Sequence, residues 1–299
     1  MATIQDWLAA ARLRTLPLAM ASIGMGSFLA AHESAFRGGV FALCILTTLF
    51  LQILSNFAND YGDSVSGVDG AQREGPSRLV QTGKISRSQM ARALVLFSLL
   101  SLGAGLGLLW VALHSWTDFL FFLGLGLLAI LAAITYTVGR KPYGYAGLGD
   151  AAVFVFFGLV AVGGSYYLHV GQFKPAILLP AAACGFLAVG VLNLNNIRDL
   201  HSDQQAGKKS VPVRLGRRNA VWYHWILLTL ALLAALVYTV SQYRHPLQGI
   251  FLLVLPLLGQ NAWAVKRHTQ AVALDPYLRQ LALTTLLFVL LFGLGNLWV

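Results

Sequence analysis

Residues 176–203 read AILLPAAACGFLAVGVLNLNNIRDLHSD. The 20 residues from Ala176 to Asn195 carry no charged side chain, which is about the length a helix needs to cross the hydrocarbon core of a bilayer. The run then ends in Asn193, Asn195, Asn196, Arg198, Asp199 and Asp203. An apolar span that stops at a dense polar cluster is a membrane helix with something to hold at its end. The pattern occurs a second time, where the apolar run from Gly39 leads into Asn56, Asn59, Asp60 and Asp63.

Working outward from these two spans, apolar runs of similar length fall at about 13–31, 39–58, 91–113, 118–138, 148–169, 176–195, 221–241, 247–265 and 281–298. Composition agrees. The chain is 57% hydrophobic and only 11% charged, with a mean hydropathy of +0.69, whereas a soluble domain carries about 25% charged residues. A cytosolic enzyme is excluded. The expected fold is all-α: a polytopic membrane protein of about nine transmembrane helices in one bundle. It forms a single domain over 1–299, with one acidic motif in each half, about 1–145 and 146–299. The N-terminal apolar stretch behind Arg12 and Arg14 is long enough to cross and precedes many other spans, so it is expected to be kept as the first helix.

The net charge of +10 comes from 21 Lys and Arg against 11 Asp and Glu. In a chain lying mostly in lipid it does not build a nucleic-acid groove, and no nucleic-acid partner is expected. Its distribution explains it. The N-terminus, the 59–90 loop with Arg92 at its edge, Arg140 and Lys141, the 196–220 loop and the 266–280 region hold 18 of the 21 cations; Arg37, Lys174 and Arg244 stand opposite. The positive-inside rule places the basic side, the N-terminus and both motif loops in the cytoplasm and, with nine spans, the C-terminus outside. Cys44 and Cys184 lie within apolar runs, with no disulfide or zinc spacing.

The acids are few, and six of the 11 gather in two clusters, Asp60, Asp63, Asp69 and Glu74, and Asp199 and Asp203. On helices, Asn56, Asp60 and Asp63 share a face at i, i+4, i+7, and Asn195 or Asn196, Asp199 and Asp203 do the same. Carboxylates held together repel unless a cation sits between them. A donor set of carboxylate and amide oxygens suits Mg²⁺, which is held by one or two carboxylates together with substrate phosphates. Two such clusters on one face suit a diphosphate. Beside the acids, Arg78, Arg198 and Lys208 are the expected phosphate contacts, with Arg73 near the first cluster. Lys84, Arg87, Arg217 and Arg218 are read as topology. Arg140 or Lys141 could reach a diphosphate, and Tyr136 could line the chamber or face a cation with its ring. Tyr143 and Tyr145 are equally well read as interfacial aromatics, and His201 as solvated. A secondary transporter is the competing class, but its acids belong near the bilayer midplane rather than at helix ends.

The motifs Asn59-Asp60-x-x-Asp63 with Asp69, and Asp199-x-x-x-Asp203 with Gly207-Lys208, resemble the two aspartate-rich motifs of the UbiA superfamily of intramembrane aromatic prenyltransferases. NDYGDSVSGVD (59–69), REGPSRLVQTGKIS (73–86), YTVGRKPYGYAGLGD (136–150) and NNIRDLHSDQQAGKKSVPVRLG (195–216) resemble the branch that prenylates 1,4-dihydroxy-2-naphthoate. Three departures stand out. Asp69 follows Asp63 by six residues rather than four, Ser210 stands where Thr often follows the Gly-Lys pair, and Arg140-Lys141 reverses the Lys-Arg order of other branches.

The resemblance implies a central chamber open to the cytoplasmic side and to lipid, in a transferase of the bacterial inner membrane. It implies Mg²⁺-dependent transfer of a polyprenyl group from polyprenyl diphosphate to 1,4-dihydroxy-2-naphthoate, with loss of CO₂ and diphosphate, giving demethylmenaquinol in menaquinone biosynthesis. In that scheme Asp60, Asp63, Asp199, Asp203, Asn56, Asn195 and Asn196 hold metal. Asn56, Asn59, Arg78, Arg140, Lys141, Arg198 and Lys208 meet the diphosphate, and Lys141 and Tyr136 join the four aspartates in catalysis. The nearer rivals are 4-hydroxybenzoate and homogentisate prenylation.

Overall fold

A computed structural model describes residues 2–66 and 79–298. Among these there are helices and turns and no strand. Nine helical segments are long and apolar enough to cross a membrane: Ile4–His32, Gly38–Val65, Arg87–Ala112, Trp116–Thr135, Gly149–Val170, Pro175–Arg198, Val211–Ser241, Pro246–Arg267 and Ala271–Leu297. The nine expected runs all fall on them. Asp69, Arg73, Glu74 and Arg78, singled out in the sequence, lie outside the described residues.

We label the helices α1 (Ile4–Ala11), α2 (Leu16–His32), α3 (Gly38–Ser66), α4 (Arg87–Ala112), α5 (Trp116–Thr135), α6 (Gly149–Val170), α7 (Leu178–Arg198), α8 (Leu200–Gln205), α9 (Val211–Ser241), α10 (Leu255–Arg267) and α11 (Ala271–Leu297). In the first part of the chain α3 packs chiefly on α4 and also meets α5; in the second, α7 packs on α9 and on α6. The joining helix is α2, which lies against α11, α3 and α6. The largest core cluster surrounds it, with Met25, Tyr166, Leu187, Phe251, Phe288 and Phe292 buried together. By contrast α5 buries no residue fully, and Leu120, Phe121, Leu127, Leu128 and Leu131 face outward. In lipid that exposure is ordinary, because the hydrocarbon tails are as apolar as the side chains.

Helix ends depart from the apolar runs where polar residues carry the helix beyond the hydrocarbon. Thus α3 continues past 58 to Ser66, keeping Asn56, Asp60 and Asp63 on one helix, and α11 begins at Ala271, ten residues before its apolar part. The first span is interrupted at Arg12, which takes a left-handed conformation (φ 48°) between α1 and α2. The second acidic motif is interrupted as well. Helix α7 closes at Arg198, Asp199 sits outside helical geometry (φ −90°, ψ 14°) and α8 starts at Leu200. A backbone bond from the Asp203 N–H to the Asp199 carbonyl (2.8 Å) nevertheless keeps the two carboxylates one turn apart.

One glycine fixes a helix approach. A Cβ on Gly62 would lie 2.5 Å from the Thr137 carbonyl oxygen, so only glycine lets α3 touch the segment after α5. Thr137 fastens that contact, its Oγ1 donating to the Ala58 carbonyl at 2.9 Å.

Candidate active site

On α3, Asn56, Asn59 and Asp63 line a chamber of about 450 Å³. Asn56 is anchored through its amide nitrogen, which donates to the Ala11 carbonyl (2.9 Å) and to Thr15 Oγ1 (3.1 Å). That orientation leaves its amide oxygen for a ligand. Asp63 accepts from the Tyr145 hydroxyl. Asp60 is turned off the chamber wall and meets Arg12 Nη2 at 2.5 Å, with the Asp60 side chain 3% and the Arg12 side chain 24% exposed. Arg12 reaches it because the chain bends at that residue. A charge-assisted contact in a dry setting is among the stronger hydrogen bonds, and it ties the N-terminal helix to the first motif.

Facing this row are Asn195, Asn196, Asp199 and Asp203 from α7, α8 and the break between them, all on the chamber wall. Asp203 is 4% exposed. Burial first, then the negative fields of Asp199 and Asp63, outweigh the pull of Lys208 and hold its carboxyl above the ordinary carboxylate range. The two motifs are therefore close enough to act on one another electrostatically. Lys208 Nζ lies 3.2 Å from Asp203 Oδ1 and 5.5 Å from the centre of the Tyr145 ring. The loop carrying Lys208 is fixed by a bond from the Lys209 N–H to the Tyr145 carbonyl (2.9 Å). Asp63, Tyr145, Lys208 and Asp203 thus form one continuous link between the two motifs.

Asp203 Oδ2 is buried and takes no hydrogen bond from the described residues. A buried, unpartnered carboxylate oxygen is costly, and a bound cation removes that cost. Among the described residues no three carboxylate, imidazole or thiol groups converge into a closed cage. The donors form two facing rows of carboxylates and amides. That arrangement fits Mg²⁺, which keeps waters and completes its shell with phosphate oxygens.

Not every expected residue comes to the site. Arg198 is buried and not on the chamber wall. It donates to both oxygens of Asp199 (2.8 and 2.8 Å), to Asn195 Oδ1 (3.0 Å) and to Asp275 Oδ1 (2.7 Å). A guanidinium so occupied has little left for phosphate, and the Asn195 oxygen is taken as well. Asn196, 4% exposed on the wall, makes no such bond. Arg140 and Lys141 are exposed and off the wall, and His201 is exposed. Tyr136 does line the chamber, beside Gly144 and Gly149, where added Cβ atoms would come within 3.0 Å of it.

The residues that sequence reasoning missed are Tyr145 and Asp275, and on the wall Arg12, Arg14 and Arg279. Positive-inside topology accounted equally well for the arginines, and an aromatic belt for Tyr145. Away from the acids the wall is largely apolar, including Leu18, Ile23, Leu109, Ile130, Phe156 and Phe157, with Thr47, Thr48 and Ser101 among the hydroxyls that interrupt it.

The sequence matches the UbiA prenyltransferase family over residues 18–283. It is 47% identical over 294 residues to the 1,4-dihydroxy-2-naphthoate octaprenyltransferase of Haemophilus influenzae, across 98% of this chain and 96% of that one. It is 48% identical to the Escherichia coli protein of the same name, across 97% and 94%. Among solved structures, a UbiA homolog from Archaeoglobus fulgidus bound to DMAPP and Mg²⁺ superposes with a TM-score of 0.67, covering 98% of this chain and 99% of its own, at 16% identity. At that identity the likeness is one of fold.

Proposed function

This chain belongs to the UbiA prenyltransferase family, and from that premise we propose that it transfers a polyprenyl group from its diphosphate to 1,4-dihydroxy-2-naphthoate. Carbon dioxide and diphosphate leave, and the product is demethylmenaquinol, an intermediate of menaquinone biosynthesis. The observation that carries the reading is the facing of Asp63 with Asn56 and Asn59 against Asp199, Asp203 and Asn196 at one end of an otherwise apolar chamber. The relatives are octaprenyltransferases, so an octaprenyl diphosphate is the donor of choice.

In this reading Asp63, Asp199 and Asp203, with the oxygens of Asn56 and Asn196, hold Mg²⁺ against the diphosphate, and Asp60 with Arg12 fixes the turn of α3 that presents them. The ion supplies electrostatic stabilisation of the departing diphosphate. Lys208 swings from Asp203 to a phosphate oxygen and neutralises charge that grows as the allylic C–O bond breaks. Arg198 keeps Asp199 oriented rather than gripping phosphate. The diphosphate takes the electron pair of that bond. The apolar wall keeps water from the allylic cation, and the face of Tyr136 favours positive charge beside it. The electron-rich naphthoate ring then attacks the cation to form the new C–C bond, and its aromaticity returns as the bond to the carboxylate breaks and carbon dioxide leaves. The long isoprenoid chain runs out among the helices into lipid. The basic ends of the helices, and with them the acidic motifs, face the bacterial cytoplasm, and the C-terminus faces outward.

The test is direct. Purified protein with Mg²⁺, octaprenyl diphosphate and equal amounts of 1,4-dihydroxy-2-naphthoate, 4-hydroxybenzoate and homogentisate should release pyrophosphate and prenylate the naphthoate alone. Prenylation of either other acceptor in its place would overturn the acceptor assignment. Wild-type turnover by correctly inserted Asp63→Ala or Asp199→Ala protein would overturn the metal clamp.

A further inference from the structure

We propose that Asp275, at the cytoplasmic head of α11, is a positioning residue for the cation site, acting through Arg198 on the carboxylate of Asp199. The inference rests on the metal-clamp reading above and adds to it a residue 76 positions further along the chain than the aspartate it serves. Asp199 lies where the helix is broken, so the backbone alone does not fix its side chain. Arg198 orients it, with Nε and Nη2 meeting the two carboxylate oxygens at 2.8 Å each in a planar fork, and Asn195 Nδ2 adds a longer bond to Oδ2 at 3.4 Å. Among the described residues Arg198 in turn has one charged partner outside its own turn, Asp275, whose Oδ1 lies 2.7 Å from Nη1.

Two consequences follow from that third group. The first is geometric. With Nη2 also on Asn195 Oδ1 at 3.0 Å, the guanidinium is held at three corners, and rotation of the fork about its own turn is blocked by α11. The second is electrostatic. Arg198 with Asp199 alone is a neutral pair, and a neutral pair attracts a divalent cation weakly. Asp275 shares the guanidinium, so the positive charge of Arg198 is set against two carboxylates rather than against Asp199 alone. Arg198 is 3% exposed and the Asp275 side chain 30%, so solvent screens the Asp275 end of this balance in part and the Arg198–Asp199 end little. Asp275 touches no chamber wall and makes no contact that would bind substrate, which separates its action from that of Asp63, Asp199 and Asp203.

The experiment measures Mn²⁺ binding by electron paramagnetic resonance on detergent-purified full-length protein with inorganic pyrophosphate and neither organic substrate present. Alongside it, the Mg²⁺ concentration giving half-maximal turnover is measured. Asp275→Asn is expected to weaken Mn²⁺ binding roughly tenfold, the lower end for an outer-shell partner of a metal ligand, and to raise the half-maximal Mg²⁺ by a similar factor. At saturating Mg²⁺, kcat should fall less than about threefold, and Asp275→Glu should restore the affinity. Arg198→Lys should show the same loss, and the double variant no more than either single one, because both act through one link. Unchanged Mn²⁺ affinity in Asp275→Asn, or additive losses in the double variant, would overturn the proposal. If Asp275→Asn does not fold, Arg198→Lys and Asp275→Glu decide it: normal Mn²⁺ binding by the first, or a tenfold loss in the second, is the overturning result. Failure of the acceptor assignment appears instead as wild-type protein that binds Mn²⁺ with pyrophosphate but does not prenylate the naphthoate.

Discussion

At the scale of single residues, Asp203 shows how a functional group works against the fold that carries it. Its carboxyl lies above the ordinary range because burial and two neighbouring carboxylates outweigh Lys208. For an acid whose folded pKa is raised, the folded state holds the proton more tightly than the unfolded chain does. The resulting stabilisation is present below the unfolded value of about 3.9 and is lost as pH rises through the folded value. At neutral pH the ionised group is a net cost. Without divalent metal, Asp203→Asn protein should therefore unfold at a higher temperature than wild type at pH 7, and the gap should close as pH is lowered toward 4. With Mg²⁺ and pyrophosphate present the order should reverse. A metal-free Asn variant less stable than wild type at pH 7 would contradict the sign.

Lysines separate in the same way. Lys208 faces the chamber at 3.2 Å from Asp203, whereas Lys141 is exposed and off its wall. A charge-assisted phosphate contact contributes about 1.5–3 kcal/mol, so Lys208→Ala should raise KM for the prenyl diphosphate at least tenfold, and Lys141→Ala should change it less than about threefold. Steady-state kinetics at fixed Mg²⁺ reads both. The larger effect at Lys141 would mean that the 139–147 turn meets the donor. From sequence Lys208 is the stronger expectation, because it lies beside the acids, while Lys141 stands as an alternative to Arg140; the fold of the 206–210 turn onto Tyr145 separates the two lysines.

At the scale of elements, the spans were legible because lipid imposes a length and a composition on them. Their ends were not, because polar heads such as Asp275 to Arg279 stay helical beyond the apolar run. The breaks at Arg12 and Asp199 were also hidden. Neither residue is Gly or Pro, so no local signal marks them, and the contacts that hold them come from elsewhere in the chain. Close helix approaches are of the same kind. Gly62 stands in the first motif like any turn glycine, yet its role is to admit the Thr137 carbonyl against α3. Gly62→Ala places a methyl group 2.5 Å from that oxygen, and backbone must shift to relieve it. A loss of about 1–3 kcal/mol is expected from overpacking, read as a lower unfolding temperature in detergent. Because the shift moves Asp63 one position along, Mg²⁺-dependent turnover should fall in the same variant. Unaltered stability would show that the approach is looser than this spacing implies.

At the scale of the whole molecule, the acid rows were legible for a reason of scarcity: so apolar a chain keeps few carboxylates, and their spacing on helices is local information. The partners that make the rows into a site were not, because they are long-range. Arg12 reaches Asp60 across 48 positions, Tyr145 reaches Asp63 across 82, and Arg198 reaches Asp275 across 77. Orientation in the membrane belongs to this scale too, since it is set by the sum of many charges. By sequence, 18 of the 21 cations fall in the N-terminal segment and in the loops assigned to the motif side, so the diphosphate chemistry is expected on the cytoplasmic face, where a soluble aromatic acid would also arrive. Single cysteines test this in a background with Cys44 and Cys184, both buried, replaced by alanine. In intact bacterial cells a membrane-impermeant maleimide should label Ser34→Cys and Gln172→Cys, both exposed between spans. It should label Lys84→Cys and Arg218→Cys, exposed at the basic ends, only after the membrane is opened. Labelling of the second pair in intact cells would place the acidic rows outside, and the donor and acceptor would then have to be supplied from the opposite face.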